Sequence, residues 1–202
     1  MKNDLRPDGN LDRRAAVAEL LRDPADAPGG QLLVVTGLGS TTYDAGAAGD
    51  RPLNFYLWGA MGGAAMIGLG LALAQPDRRV LVLTGDGEML MGLGSLATIG
   101  ARRPPNLAIA VIDNGRFGET GQQHSHTALG TDLAAVAAAC GWQEVCTVTE
   151  TAELPPLRMR LRQTPLFAVV RIAPGDVPRH LPPRDGARLT MRFRDALGLA
   201  EA

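Results

Sequence analysis

The sequence has few cysteines and almost no net charge, and each shortage excludes a class of protein. Its two cysteines, Cys140 and Cys146, are too few and too close together for a disulfide framework or a zinc site. We therefore expect both to be reduced residues of the core. A formal net charge of -1 offers no electrostatic surface to nucleic acid or to a membrane. Neither is expected as a partner.

Long apolar segments are also missing. The most apolar stretch, residues 61–74, is rich in glycine and shorter than the roughly 20 residues that a membrane-spanning helix needs, so it predicts a buried helix. Residues 1–10 are polar and charged, with no apolar segment behind them, which is unlike a secretory signal peptide. These two absences favour a cytoplasmic location.

The sequence does contain a regular alternation of short β-branched segments and longer helical patterns. This alternation is typical of parallel strands joined by crossover helices. A chain of 202 residues suits one domain that buries roughly 70% of its unfolded surface. We therefore predict an α/β fold, a three-layer α/β/α architecture with a mostly parallel, doubly wound sheet, over residues 1–202. Residues 1–30 are expected to form an N-terminal helix and linker, and residues 175–202 a proline-rich loop and a C-terminal helix.

Hydrophobic periodicity and turn residues place the individual elements. Two continuously apolar segments, residues 80–83 and 108–112, predict central strands that are buried on both faces. The predicted strands cover residues 32–36, 80–84, 107–112, 145–148 and 166–172. The predicted helices cover residues 11–22, 60–74, 88–100, 132–139, 151–162 and 189–199, with Thr131 or Asp132 as the cap of the fourth.

Three loops of small and polar residues, at 36–42, 85–88 and 113–116, follow three of these strands. Ligands of open α/β sheets bind at the carboxyl ends of strands, so the three loops are expected to share one site. Asp86 and Asn114 would bring a carboxylate and an amide oxygen together there. With a main-chain carbonyl and phosphate oxygens, these ligands suit Mg²⁺. Taken alone, Gly85-Asp86-Gly87 is equally compatible with an ordinary tight turn.

Gly85-Asp86-Gly87, followed at this interval by Asp113-Asn114, resembles the fingerprint of the thiamine diphosphate-dependent enzymes, in which Gly-Asp-Gly precedes Asn-Asn. The resemblance implies the thiamine diphosphate-binding fold, with thiamine diphosphate and Mg²⁺ as cofactors. It implies three metal ligands: the carboxylate of Asp86, the side chain of Asn114 and the main-chain carbonyl of Arg116. Asp113 departs from the family's asparagine but leaves the ligand position unchanged.

The segments on either side of the fingerprint extend the resemblance over residues 32–140. Residues 58–64 place Met61 where the family has an apolar residue that supports the bent cofactor, although a methionine in an apolar helix is also typical of a core. Residues 39–41 resemble the family's first diphosphate-contacting turn. The cofactor contacts implied in this way are Gly39, Ser40, Thr41, Ala60, Met61, Gly85, Gly87, Glu88 and Asn114.

Glu88 is a second departure, because relatives often have a small residue directly after Gly-Asp-Gly. A carboxylate near a diphosphate repels it, so we expect Glu88 to contribute only its backbone amide, at the start of a helix. Substitution of Glu88 by serine should then leave the affinity for the cofactor equal or better.

Residues 54–56, 121–122 and 139–141 carry a narrower resemblance, to the β subunit of sulfopyruvate decarboxylase and to the matching half of phosphonopyruvate decarboxylase. It implies the diphosphate-binding subunit of a carboxy-lyase that acts on a small 2-oxo acid. In this family the glutamate that activates the cofactor belongs to a pyrimidine-binding domain, and no second domain fits in 202 residues. The resemblance therefore implies a pyrimidine-binding α subunit on a separate chain, in a hetero-oligomer built on homodimers.

The polar segment at residues 118–127 follows the predicted metal loop and contains His124 and His126. It is either a surface turn or the flap that the family builds over its substrate. Some members of the family carry an acid six residues after the metal-binding asparagine. Thr120 stands there in this chain, so no such acid is expected. His124 or His126 is the alternative candidate for a proton donor or an anion contact.

Three other functions share parts of this pattern. A Rossmann dinucleotide-binding domain requires G-x-G-x-x-G, and the segment at 37–42 fails that motif at Thr42. An acetolactate synthase-like carboligase half would carry the same diphosphate site. A non-catalytic cofactor-binding subunit would carry it too, and only a partner chain with the missing glutamate would distinguish that case.

Overall fold

The computed structural model describes residues 5–23 and 32–199. Residues 1–4, 24–31 and 200–202 lie outside the described residues, and the predicted linker falls mostly among them. Within the described ranges, no helix is both long and apolar enough to cross a membrane.

Strands and helices alternate along the chain, as the sequence pattern predicts. The strands are β1 (Leu33–Thr36), β2 (Asn54–Tyr56), β3 (Val80–Gly85), β4 (Leu107–Asp113), β5 (Arg116–Phe117), β6 (Gln123–His124), β7 (Val145–Val148) and β8 (Leu166–Arg171). The helices are α1 (Arg13–Leu21), α2 (Ser40–Ala47), α3 (Ala64–Ala74), α4 (Asp86–Met91), α5 (Ser95–Arg102), α6 (Leu133–Ala139), α7 (Leu154–Gln163) and α8 (Gly186–Ala196). A 3-10 turn, Thr151–Glu153, precedes α7.

A six-stranded parallel sheet forms the middle layer, in the order β2-β1-β3-β4-β8-β7. β3 and β4 lie at its centre and are buried almost throughout, because their side chains are apolar on both faces. One apolar core packs beneath α1 and α7, and a second packs beneath α3, α5 and α6. The predicted three-layer α/β/α architecture and its two central strands are therefore confirmed. The two cysteines are free and half-buried, and they pack against opposite cores.

The predicted helices at 60–74 and 88–100 were wrong in their bounds, because glycine turns interrupt both. α3 begins only at Ala64, since Ala60 and Gly62 have positive φ angles of 53° and 87°. The second helix is divided into α4 and α5 near Gly92. A Cβ added to Gly92 would lie 2.3 Å from the carbonyl oxygen of Gly62, so the two turns touch through their backbones. Side-chain periodicity does not report such a contact.

Four elements were not predicted from the sequence: β2, α2 and the two short strands β5 and β6. β2 is a three-residue strand at the edge of the sheet, paired with β1. α2 follows a turn at Gly39, whose φ angle is 87°. Among the predicted features, Asp132 caps α6 with its side chain, as expected, and α8 begins at Gly186 rather than at residue 189.

The parallel register brings the carboxyl ends of β1, β3 and β4 to one edge of the sheet. Thr36 pairs with Leu83 across β1 and β3, and Gly85 pairs with Ile112 across β3 and β4. The three loops that follow these strands therefore leave the sheet side by side.

Candidate cofactor site

The loops after β1, β3 and β4 line one cavity of about 180 Å³ at the carboxyl edge of the sheet. Most of the residues selected from the sequence line it: Gly39, Ser40, Thr41, Met61, Gly85, Asp86, Gly87, Glu88, Asn114 and Arg116. Ala60, His124 and His126 are described by the structure but do not line the cavity. The three loops meet as expected, and their contacts with a cofactor stay a prediction.

Asp86 is a buried carboxylate that two hydroxyl groups hold in place. It is 2% exposed, and its Oδ2 accepts hydrogen bonds from Ser125 Oγ and, at 3.2 Å, from Thr127 Oγ1. Burial, together with the nearby charge of Asp113, raises the pKa of Asp86 to about 6. A cation beside Asp86 would offset both effects.

The loop after β4 is fixed by hydrogen bonds to its own backbone. Asn114 Oδ1 accepts from the amide of Arg116 at 2.9 Å, and Asp113 Oδ1 accepts from the amide of Gly115 at 3.0 Å. Gly115 has a φ angle of 68°, in the left-handed region where glycine is favoured. These bonds hold the Asn114 side chain and the Arg116 backbone in one tight turn.

The donor set at this edge suits magnesium better than a transition metal. The described residues contain no group of three or more His, Cys, Asp or Glu side chains that could hold a metal ion. Asp86, Asn114 and the Arg116 carbonyl would supply three oxygen atoms, a set that is incomplete by itself. Mg²⁺ commonly accepts so few protein ligands because phosphate and water oxygens complete its octahedron. The residues present therefore fit a magnesium diphosphate.

The turn between β1 and α2 forms the opposite wall of the cavity. The hydroxyl of Thr41 donates to the carbonyl of Gly37 at 2.9 Å, as does Thr42 at 2.7 Å. Thr41 thus uses its proton to stabilise the turn, while Ser40 lies at the start of α2. Anions are favoured at such a position, since the first amides of a helix have no partner within it.

Glu88 contacts three segments next to the cavity: β3, the start of α3 and the loop after β1. Its side chain is buried and accepts hydrogen bonds from Thr84 Oγ1 and, at 3.2 Å, from the amide of Ala64 at the start of α3. A Cβ on Gly37 would overlap the carboxylate of Glu88, which shows how closely the β1 loop packs against it. Burial raises the pKa of Glu88. The carboxylate of Glu88 therefore holds neighbouring segments together. This is consistent with a cofactor contact through the backbone of Glu88 only.

Met61 lies on the surface of the cavity rather than in a core. Its side chain is 37% exposed, and it follows Ala60 in the turn before α3. The interpretation of Met61 as an ordinary core methionine was therefore wrong. Its role as the support of a bent cofactor stays a prediction.

The segment at residues 118–127 is a hairpin whose far end is buried. β5 and β6 pair antiparallel, with Arg116 opposite His124. Ser125 and Thr127 follow β6, are both 0% exposed and bond to Asp86. They were missed because the segment reads as polar, and the turn that brings both hydroxyls to Asp86 has no mark in the sequence.

The hairpin presents an acid to the cavity, but not a histidine. His124 is half-buried, with Nε2 3.1 Å from Arg116 Nη1, whereas His126 is exposed and packs edge-on against Phe117. Glu119 lines the cavity and pairs with Arg179 at 3.3 Å. Thr120 stands at the family's acid position, as expected, and the neighbouring Glu119 is a cavity acid that the sequence analysis missed. Arg13 of α1 also lines the cavity, paired with buried Asp44, and was not predicted either.

Comparison with known proteins agrees with this geometry. Residues 37–172 match the family model of the thiamine pyrophosphate enzymes, C-terminal TPP binding domain. The chain belongs to this family. Thiamine pyrophosphate is another name for thiamine diphosphate, so the family is the one that the Gly85-Asp86-Gly87 and Asp113-Asn114 motifs indicate, and that prediction is confirmed.

Individual relatives of this TPP-binding domain are decarboxylases. It is 40% identical over 174 residues to phosphonopyruvate decarboxylase of Streptomyces viridochromogenes, covering 85% of this chain but only 43% of that protein. It is 41% identical over 148 residues to sulfopyruvate decarboxylase subunit beta of Methanothermobacter thermautotrophicus, covering 72% of this chain and 77% of the subunit. The crystal structure of benzoylformate decarboxylase from Polynucleobacter necessarius has a similar fold, with a TM-score of 0.68 at 19% identity, over 86% of this chain and 36% of that one.

Proposed function

We propose that this chain is the diphosphate-binding subunit of a thiamine diphosphate- and Mg²⁺-dependent decarboxylase of a small 2-oxo acid. The observation that carries the proposal is the cavity in which Asp86, Asn114 and the glycine turns meet. The name of one relative, sulfopyruvate decarboxylase subunit beta, supports the assignment to a subunit. A cytoplasmic location goes with this proposal.

Each wall of the cavity has a distinct part in this function. Asp86, Asn114 and the carbonyl of Arg116 would hold Mg²⁺, while the turn at 39–41 and the backbone at Gly85, Gly87 and Glu88 would hold the diphosphate. When bound, thiamine diphosphate supplies an electron sink for the pair released as CO₂ leaves. Met61 would support the ring system from the side of α3.

We propose that the hairpin supplies a residue that acts on the substrate. Glu119 and Thr120 line the cavity, and Glu119 lies beside the β1 turn, because a Cβ on Gly39 would lie 3.2 Å from its carboxylate. Glu119 is partly exposed and pairs with Arg179 at 3.3 Å. A carboxyl group in this position is suited to exchange a proton with a product before it leaves.

A partner chain is the second part of the proposal, because exposed apolar side chains lie in the cavity and in the first turn of α3. Met61 and Met91 line it and are 37% and 64% exposed, and Met66 and Ile67 in α3 are 42% and 36% exposed. Contiguous exposed apolar residues are typical of protein interfaces. We propose that a pyrimidine-binding subunit covers this surface and brings the activating glutamate, in a hetero-oligomer built on homodimers.

The test is reconstitution. The purified chain would be combined with a co-purifying pyrimidine-binding chain, thiamine diphosphate and Mg²⁺, and CO₂ release measured over a panel of 2-oxo acids that carry sulfonate, phosphonate or alkyl groups. We expect activity only from the complex, and none from a complex that carries Asp86→Asn.

Three outcomes would change the proposal. Decarboxylation by the isolated chain would remove the need for a partner. Accumulation of a condensation product such as acetolactate would assign the complex to the carboligases. Binding of the cofactor without turnover of any 2-oxo acid would assign a non-catalytic role.

A further inference from the structure

The N-terminal strap, residues 5–11, lies across the carboxyl edge of the sheet. The amide of Arg6 donates to the carbonyl of Ala128 at 2.9 Å, and Leu11 forms a parallel bridge with Ile172 after β8. Gly9 packs so closely that an added Cβ would lie 2.5 Å from the carbonyl carbon of Arg171. The strap is therefore part of the folded domain, although it precedes the residues that match the family model.

The side chain of Arg6 extends from the strap to the loop after β4, at residues 113–116. Its Nη2 lies 2.6 Å from Oδ2 of Asp113, which is 1% exposed, whereas the Arg6 side chain is 25% exposed. Asp113 stands where the family's fingerprint has an asparagine, so this chain has an extra negative charge at that position. Arg6 is the ion-pair partner of that charge.

Asp113 is in turn connected to the predicted metal ligand through one hydroxyl group. Thr127 Oγ1 lies 2.8 Å from Oδ1 of Asp113 and 3.2 Å from Oδ2 of Asp86. Ser125 contacts both Thr127, at 2.8 Å, and Asp86. Two buried carboxylates therefore share a single threonine. Without a cation beside Asp113, repulsion between them would favour a rearrangement of this network.

We propose that Arg6 is a positioning residue of the metal site: by neutralising Asp113 it keeps Thr127, and through Thr127 the carboxylate of Asp86, in the arrangement that binds the divalent cation. The inference rests on the proposed function, because it requires Asp86 to be a metal ligand. If the strap only held the neighbouring loops in place, Arg6 would be needed whatever residue stands at 113. In the proposed role, Arg6 is needed only while residue 113 carries a charge.

That dependence provides a direct test with three variants of the full chain: Arg6→Gln, Asp113→Asn and the double variant. Mn²⁺ would replace Mg²⁺, and its binding in the presence of thiamine diphosphate would be measured by electron paramagnetic resonance. Removal of groups that orient metal ligands commonly lowers metal affinity roughly 10–100-fold, and we expect a loss in this range for Arg6→Gln. Asp113→Asn should bind nearly as tightly as the wild type, and the double variant should resemble Asp113→Asn.

Two controls separate positioning from loss of structure. Arg22→Gln removes a surface ion pair with Glu19, whose arginine is 62% exposed, and should leave Mn²⁺ affinity unchanged. Thermal unfolding of each apo variant, followed by circular dichroism, reports whether the fold is retained. Recovery of affinity in the double variant cannot come from a strap that has simply detached.

The results that overturn the inference are equally specific. Arg6→Gln with wild-type affinity would show that the metal site does not need the charge of Arg6 beside Asp113. A double variant as weak as Arg6→Gln would assign Arg6 a role that does not pass through Asp113. If the wild-type chain bound no Mn²⁺ with thiamine diphosphate, alone or with its partner, the proposed function and this inference would both fail.

Discussion

Among the single residues, Asp86 is the one whose chemistry depends most on its surroundings. Its carboxylate is buried next to Asp113 and held by two hydroxyl groups. In the folded apo protein its pKa is about 6, above the ordinary value of 3.8, so the folded state holds the proton more tightly than the unfolded state does. Protonated Asp86 is therefore favourable for folding, and its ionisation is unfavourable.

We expect Asp86→Asn to stabilise the apo protein above pH 6. The contribution of the Asp86 proton is fully present below pH 3.8 and is lost as the pH rises through about 6. This difference in pKa corresponds to ~3 kcal/mol in the free energy of unfolding. Urea denaturation at several pH values should show the variant and the wild type equal near pH 4 and separated near pH 7.

Bound metal should reverse the order of stability of Asp86→Asn and the wild type, and this reversal provides the control. Saturating Mg²⁺ and thiamine diphosphate should stabilise the wild type at pH 7 but leave Asp86→Asn almost unchanged, because ligands stabilise only the state that binds them. Equal stabilisation of both proteins would argue against Asp86 as a metal ligand.

Glu88→Ser tests the other buried acid of the cavity. Loss of the carboxylate leaves the amide of Ala64 and the hydroxyl of Thr84 without their acceptor. We expect the free energy of unfolding of the apo chain to fall by about 1–3 kcal/mol. Glu88→Gln, which keeps an acceptor oxygen, should lose less.

Cofactor affinity is a separate quantity for the same variant. The expectation that Glu88→Ser binds the diphosphate equally or better rests on charge repulsion and concerns the folded chain only. Titration of the cofactor at a temperature where both proteins are folded measures it. A large loss of affinity would mean that the Glu88 carboxylate is needed to hold the cavity open.

At the scale of the element, α3 shows that a glycine in a helix can either allow close packing or weaken the helix. Gly68 faces the sheet, where an added Cβ would lie 2.2 Å from Cγ2 of Val82, whereas Gly70 is exposed and has nothing within 4 Å. Gly68 therefore allows the helix to approach β3 closely. Gly70 only weakens the helix.

The two alanine substitutions in α3 should change stability in opposite directions. Overpacking against Val82, a stiff β-branched side chain, costs roughly 1–3 kcal/mol, which equals or exceeds the ~1 kcal/mol gained in helix propensity at Gly68. Gly70→Ala keeps that gain, since no contact opposes it. Urea denaturation of the apo chain measures both, and stabilisation by Gly68→Ala would contradict the close packing of α3 on β3.

Prediction of the elements from the sequence succeeded where one local signal was sufficient. β3 and β4 were found because a strand buried on both faces is apolar throughout, and the α6 cap was found because Asp132 precedes an alanine-rich segment. β2 was missed because three residues at a sheet edge have no periodicity of their own. The break between α4 and α5 was missed because it depends on a contact between the backbones of Gly62 and Gly92.

At the scale of the whole molecule, the apolar surface around the cavity is expected to bind the partner chain. We expect Ile67→Lys to weaken association with the pyrimidine-binding subunit by roughly tenfold or more, as a charge in a packed interface commonly does. Leu73→Lys is the matched control, because Leu73 is 54% exposed on the same helix but lies at its far end from the cavity. Titration calorimetry measures both affinities, and equal losses or no losses would place the interface elsewhere.

The sequence by itself determined the family, the fold class and the three loops that meet at one edge of the sheet, because each depends on residues that are close along the chain. Buried strands require apolar runs, and the turns at Gly85-Asp86-Gly87 and Asp113-Asn114 require their particular residue types at particular strand ends. Only the tertiary structure decided which side chains surround Asp86. Arg6 belongs to the N-terminal strap, whereas Ser125 and Thr127 follow the hairpin, far from Arg6 along the chain. No local pattern marks these residues, because their positions depend on how the strap and the hairpin pack against the edge of the sheet.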